Sequence, residues 1–400
     1  MTTKKSTAAA SKKASAKKSS SKTSSQTKSK PTPKPSAAVL KAVASSIDLS
    51  RHIITYDSED PSTYSPRTLP PAAAMAASTL APIPWPAGQA PTPQPLAKAP
   101  SPNAPLPQAD YVVVTWTVEE AKALADALTP GYPSKTAWYP YAHNFTAEFV
   151  PLIRKGAPAL ESKRLGSYFP ATIAGKRVLC MKSELHLSQD GPKMPIAKLW
   201  AQIIAEASPK LILTTGTAGG IGAAVVLGDV LCAESVRFDC LKSFKSQPFH
   251  SSVYACSPLA HTSAAVAQKL FLANTAHLPA SARPPQIFTG GGTAAGGAMP
   301  VPDVVTTDFF AFDDSANDYG LQGLGGTVEM GDAVLGLVIG QMSSGAPLWG
   351  AVRNASDPQI DSSGLTLKQA AQKAAQIYEK YGYWTTIPSA IACWSVILDN

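Results

Sequence analysis

The chain has 400 residues with 35 Lys and Arg against 27 Asp and Glu, a formal net charge of +8, but the basic excess is not spread evenly. Ten lysines lie within residues 1–35, ahead of the first acid, Asp48, which leaves 25 basic against 27 acidic groups for the rest. The basic character therefore belongs to a tail and not to a folded domain. No charge-free run of about 18 apolar residues appears, which excludes a membrane-spanning helix, and no apolar stretch of about 7–15 residues follows the lysines, which argues against a secretory signal. A soluble, cytoplasmic protein is expected.

A Lys/Ser/Ala segment buries too little apolar surface to offset the entropy of ordering it, so residues 1–60 are expected to be a disordered tail. Residues 1–35 suit either a weak, salt-sensitive contact with nucleic acid or another anionic surface, or a plain solubilising extension. Within the tail, Ala37 to Ile54 is apolar enough for a helix or a partner-binding segment. From Pro61 to Pro107 prolines recur every few residues, which removes backbone donors and favours extended chain. Residues 61–109 thus read as a linker, and residues 110–400 as one domain.

That domain opens on a β-branched run, Tyr111 to Thr115, followed by a helical pattern from Glu119 to Leu128 that stops at Thr129-Pro-Gly131. Residues 132–170 are aromatic and irregular, and fit a lid, a subunit interface or core packing. Arg177 to Lys182 reads as a strand and Pro195 to Ala207 as a helix. Leu211 to Thr215 reads as a buried strand, Gly216 to Gly220 as a turn whose backbone can approach a ligand, and Val225 to Cys232 as a returning strand. Residues 285–302 read as a glycine-rich loop, Asp303 to Phe312 as strand-like, Val328 to Met342 as an apolar helix, and Ala346 to Val352 as a last buried strand. Thr366 to Tyr381 closes as an amphipathic helix. Strands alternating with helices over this length predict an α/β fold with a largely buried sheet.

Ligands of open α/β sheets bind at the carboxyl ends of strands, and three such ends each supply acids: Glu119 and Glu120, the pair Glu329 and Asp332, and Asp357. Each has an ordinary alternative, as a helix-start charge or an Asp-Pro turn, but the coincidence of three suits glycosidic cleavage. That chemistry asks for an acid to protonate a leaving base, a carboxylate to activate water or steady a cationic sugar, and acceptors for hydroxyls. The five cysteines and six histidines show no metal-ligand spacing, so no metal and no cofactor is expected, and the histidines read as structural. The glycines of 216–222 fail the dinucleotide-binding pattern, since a strand and not a helix follows them.

These blocks resemble the nucleoside phosphorylase superfamily, particularly its methylthioadenosine/adenosylhomocysteine nucleosidase branch. Leu211 to Asp239 is similar to that family's strand, Gly-Ser/Thr-Ala-Gly-Gly turn and Gly-Asp segment. Val328-Glu-Met resembles its Val-Glu-Met-Glu helix start, Val352 to Asp357 its Val-Arg-x-x-Ser-Asp block, and Thr307-Asp-Phe-Phe310 its base-pocket strand. The resemblance implies a three-layer α/β/α fold with a central mixed, partly barrel-like sheet, and a homo-oligomer, either a dimer or a trimer of dimers.

Carried over by position, the resemblance gives Asp357 the purine N7, Phe310 the face of the base, and Glu329 and Met330 the ribose. Glu120, or its neighbour Glu119, would position the attacking water. Thr217, Ala218 and Gly219 would lie near the nucleophile, and Arg353 and Ser356 would belong to the same binding block. The family's second acid is Gly331 here, so ribose recognition must use Asp332 or be altered or lost. The phosphate loop of the phosphorylases is replaced by Thr115-Trp-Thr-Val, which makes water the expected nucleophile. Hydrolysis of a purine nucleoside or related compound is the expected activity; a phosphorylase, and a nucleoside-binding sensor or storage protein without turnover, are the alternatives.

Overall fold

Short β-branched runs that are buried along their whole length can only sit inside a sheet covered on both faces, and the computed structural model is built around such strands. It describes residues 27–28, 35–64, 80–273, 275–290, 292–293 and 301–400. In chain order the elements that frame the fold are α1 (Ala37–Ser45), α2 (Ile47–Thr55), β1 (Tyr111–Thr115), α3 (Val118–Leu128), β2 (Gly166–Ile173), β3 (Lys176–Ser183), α4 (Pro195–Ala207), β4 (Leu211–Gly220), β5 (Val230–Cys232), β6 (Ser235–Phe238), α5 (Ala264–Leu272), β7 (Asp303–Thr306), β8 (Thr327–Glu329), α6 (Asp332–Gln341), β9 (Leu348–Asp357) and α7 (Leu367–Asp399).

The sheet is mixed and branches at β4. The first half of β4 pairs in parallel with β1, which pairs in parallel with β3, and β2 closes that edge antiparallel. The far end of β4, at Gly219 and Gly220, pairs antiparallel with β8, which leads through parallel β7 to parallel β6. Strand β9 runs parallel to β4 along both halves. The glycines of 216–220 are thus the second half of a ten-residue strand and not a turn. Lacking side chains, Gly216, Gly219 and Gly220 hide the alternating pattern by which a strand would be recognised.

Helices cover both faces, giving α/β/α layering. One face carries α3, α5 and the second half of α7, with Leu124, Leu128, Phe271, Ile391 and Trp394 packed on Val113, Leu213 and Val352. The other carries α4 and α6, with Leu199, Trp200, Ile203, Val334 and Leu335 against Val112, Val114, Leu179 and Ile212. Helix α7 runs 33 residues through Pro388, well past the expected stop at Tyr381. Its second half is buried nearly all round, so it lacks the one-sided pattern that makes a helix legible. Trp138, Tyr141, Phe145, Phe149, Tyr168 and Phe169 are buried, which makes the aromatic stretch core packing. Among the described residues, no helix is long and apolar enough to cross a membrane.

The expected tail must be corrected from residue 36 onward. Ser36 caps α1 by accepting from Val39 N at 3.2 Å, and Val39, Val43, Ile53 and Tyr56 share a core cluster with Val305, Phe309, Phe312 and Tyr378. The apolar spacing at 39 and 43 in α1, and at 49 and 53 in α2, gives each short helix an apolar stripe, enough to dock the pair despite the polar chain before it. Apart from Lys28, the lysines of residues 1–34, and the remaining proline-rich residues 65–79, lie outside the described residues. Within the expected linker, Thr92–Pro93 pairs with Ala171 and Thr172 of β2, and Trp85 packs on Trp394 with ring centroids 4.8 Å apart. Trp394 Nε1 also donates to Gln89 O at 2.7 Å. Trp394→Ala is expected to cost about 3–5 kcal/mol by leaving a large cavity, read as a lower urea midpoint; a loss below about 1 kcal/mol would mean that this segment is not held by the indole.

Candidate active site

Strand β1 ends where Thr117 begins α3, and Thr117 with Glu120 forms a capping box. The Glu120 carboxylate does far more than cap. Its Oε2 accepts from Thr115 Oγ1 at 2.6 Å, Trp116 N at 2.8 Å and Thr117 N at 2.9 Å. Its Oε1 accepts from Thr217 N at 2.7 Å and Thr217 Oγ1 at 2.5 Å. A buried carboxylate is tolerable when donors replace its water, and here they also bind the end of β1 to β4. Gly216 is required for this: its φ is +131°, and a Cβ there would collide with the Glu120 carboxyl.

Asp357 is the last residue of β9, where a bulge between Ala355 and Asp357 shifts the register and sets it opposite Gly219. Its Oδ1 accepts from Ser356 Oγ at 3.0 Å, while Oδ2 is buried and has no partner. Burial pushes this carboxyl up to about 7, only partly opposed by the Ser356 bond. A Cβ at residue 219 would sit 3.2 Å from Oδ2, so the glycine leaves room for that oxygen.

At the third edge the expected helix from Val328 divides into β8 and α6. Glu329 ends the strand and its carboxylate accepts from Asp332 N at 3.0 and 3.1 Å, from Thr306 Oγ1, and from Arg353 Nη2 at 3.4 Å. Asp332 is fully buried and is gripped by Arg353 through Nε at 2.7 Å and through Nη2. Burial and the neighbouring Asp332 raise the Glu329 carboxyl, with Arg353 opposing. The Arg353 guanidinium also lies 4.7 Å above the Trp116 ring. That indole fills the space beside residue 331, where a Cβ would come within 3.2 Å of its Cζ2. Glycine at 331 and tryptophan at 116 are therefore a matched pair.

These edges meet around one pocket. Glu120, Thr217, Ala218, Gly219, Phe310, Glu329, Met330, Arg353, Ser356 and Asp357 all line it. Two expected site residues do not. Glu119 lies on the far side of the α3 start, where its carboxylate accepts from Ser58 N at 2.7 Å, and Asp332 serves Arg353 and does not replace the missing acid as a lining group. Sequence reasoning missed Trp116, Thr117, His186, Ser188, Tyr378, and Ile53 and Ile54 of α2, which also line the pocket. The strand-end rule that singles out the acids applies equally to Trp116, after β1, and to His186, three residues after β3. Nothing in the local sequence of Ile53 and Ile54 marks them.

No family model matches the sequence, and no match is found among curated proteins. Among solved structures the chain is similar to a 5′-methylthioadenosine/S-adenosylhomocysteine nucleosidase from Helicobacter pylori, at 14% identity and a TM-score of 0.44, covering 73% of this chain and 99% of that one. It is also similar to futalosine hydrolase of Helicobacter pylori, at 15% identity and a TM-score of 0.43 over 72% of this chain and 97% of that one. A third is the 5′-methylthioadenosine/S-adenosylhomocysteine nucleosidase of Neisseria meningitidis, at 15% identity and a TM-score of 0.43, with 72% and 97% covered.

Burial of Asp357 also bears on stability. Its carboxyl titrates near 3.8 when unperturbed and near 7 when folded, so between those pH values the folded protein holds a proton that the unfolded chain has lost. Stability then falls as pH rises through this window and stays low above it. Asp357→Asn removes the charge, and is expected to melt at a higher temperature than the wild type at pH 8, with the gap closing towards pH 4. Equal melting temperatures at pH 8 would mean that no unpaired charge is buried there.

Proposed function

We propose that this chain is a nucleosidase, which hydrolyses the N-glycosidic bond of a purine nucleoside or related compound and releases the free base. The observation that carries this reading is Asp357: a buried carboxyl raised to about 7, with one oxygen unpartnered, in a pocket that also holds an aromatic ring, Phe310, and a second carboxylate, Glu329. A carboxylic acid that keeps its proton near neutrality can give it to a leaving nitrogen, and the desolvation that raises it is the usual means of such tuning.

In this reading Asp357 protonates the base as the electron pair of the C1′–N bond passes to it. Phe310 packs on the ring system. Glu329 lies beside the sugar, its carboxyl raised by burial and by Asp332 and held by Thr306, the Asp332 amide and Arg353. Glu120 supports the site from below by fixing the backbone at residues 115–117 and at Thr217. Water is favoured over phosphate as nucleophile because, among the described residues, Arg353 is the one Lys or Arg that lines this pocket, and its charge is already taken by Asp332 and Glu329.

Incubation of the purified full chain with a panel of purine nucleosides, with and without phosphate, is expected to release free base equally in both. Turnover should decline as pH rises through about 7, and Asp357→Asn should lower kcat by roughly 10²–10⁴-fold. Release that requires phosphate would make the protein a phosphorylase. Tight nucleoside binding without release in the wild type would make it a sensor or storage protein.

A further inference from the structure

Hydrolysis needs a group that receives a proton from the attacking water, and most polar atoms around the pocket are already committed. Glu120 accepts five hydrogen bonds, more than the roughly four lone-pair sites a carboxylate offers. Glu329 holds Thr306, the Asp332 amide and Arg353. The Tyr378 hydroxyl donates to Thr117 Oγ1 at 2.8 Å, and Ser188 Oγ accepts from Ser50 Oγ at 3.2 Å. Trp116 Nε1 is buried without a partner, but an indole N–H donates only and cannot take a proton.

His186 is different. It is 3% exposed, lines the pocket, and its Nε2 is buried with no partner. Its backbone is fixed from within the same turn: His186 N donates to Asp190 Oδ2 at 2.6 Å, and Gln189 N and Asp190 N both donate to His186 O at 3.0 Å. The residue is thus held on an anchored turn beyond the end of β3 and lines the same pocket as the Asp357 acid, with one ring nitrogen that has no partner.

We propose that His186, in the tautomer with its proton on Nδ1, uses Nε2 to hold the attacking water and accept its proton, a role that rests on the nucleosidase reading above. As the C1′–N bond breaks, its electron pair stays with the base, which takes the Asp357 proton. The water oxygen then bonds to C1′ and passes a proton to Nε2. The imidazolium gives that proton to solvent and Asp357 regains one, so that nucleoside and water yield sugar and base with neither residue changed. Burial, helped by the Lys182 ammonium, lowers the imidazole to about 3, which keeps the ring neutral and its lone pair free at physiological pH. So weak a base suffices here, because water adding to a cationic sugar becomes strongly acidic as the bond forms.

The test compares base release by the wild type, His186→Ala and His186→Gln. We expect His186→Ala to lose roughly 10²-fold or more in kcat with KM little changed, and to regain part of that loss when imidazole is added to the assay. His186→Gln, whose amide oxygen can hold the water but takes up no proton, should fall between the two if it folds where the alanine variant does not. Wild-type kcat in either variant would overturn the assignment. So would a loss that matches the unfolded fraction by circular dichroism and is not rescued by imidazole. A wild type that releases base, loses this with Asp357→Asn and keeps it in the His186 variants would overturn His186 alone; a wild type that releases no base would overturn both readings.

Discussion

The pocket depends on the hydrogen bonds gathered by Glu120. One carboxylate accepts from the last residue of β1, from the two residues that turn into α3, and from the backbone and side chain of Thr217 in β4. Charge-assisted bonds of this kind are short and directional, and together they hold two parallel strands and a helix terminus in one register. The interaction also dictates Gly216, since no other residue leaves room for the carboxyl. The position to which the resemblance gives the attacking water is, in three dimensions, also the fastening that lets its neighbours form a binding surface.

A second constraint follows at Arg353. Arg353 is sandwiched between the Trp116 ring and two carboxylates, so its charge is spent within the protein. A buried arginine needs such compensation, and Asp332 supplies most of it through two hydrogen bonds. The Asp332 carboxylate balances an internal cation and does not line the pocket, while the Trp116 indole fills the space beside Gly331. Glycine at 331 and tryptophan at 116, just after β1, are two faces of one packing arrangement.

Much of this is legible in the sequence because it follows from where strands end. The runs at Tyr111, Arg177, Leu211 and Ala346 are all strands, and the acid beyond the first, Glu120, and the acid that ends the last, Asp357, reach one pocket. The misreadings have physical causes. Glycines conceal the second half of β4. A short strand joined to an apolar helix, as at Val328 to Gln341, looks like one longer helix, and this hides that Glu329 and Asp332 face different partners. Helix α7 loses its periodicity where it is buried on every side. His186 reads as structural when histidines are weighed by metal spacing, whereas the informative property, a ring nitrogen left without a partner, exists only once the chain is folded.

The helical pair α1–α2 changes where the pocket-bearing unit begins. Ile53 and Ile54 line the pocket, Ser50 bonds to Ser188, and Gln189 bonds to both Ser50 and Ile47 O. A protein trimmed at residue 110, where composition suggests that the domain starts, would keep every acid discussed above. It would lack one wall of the chamber around them, admit bulk water to the Asp357 side chain, and relax the desolvation that lets that group hold a proton.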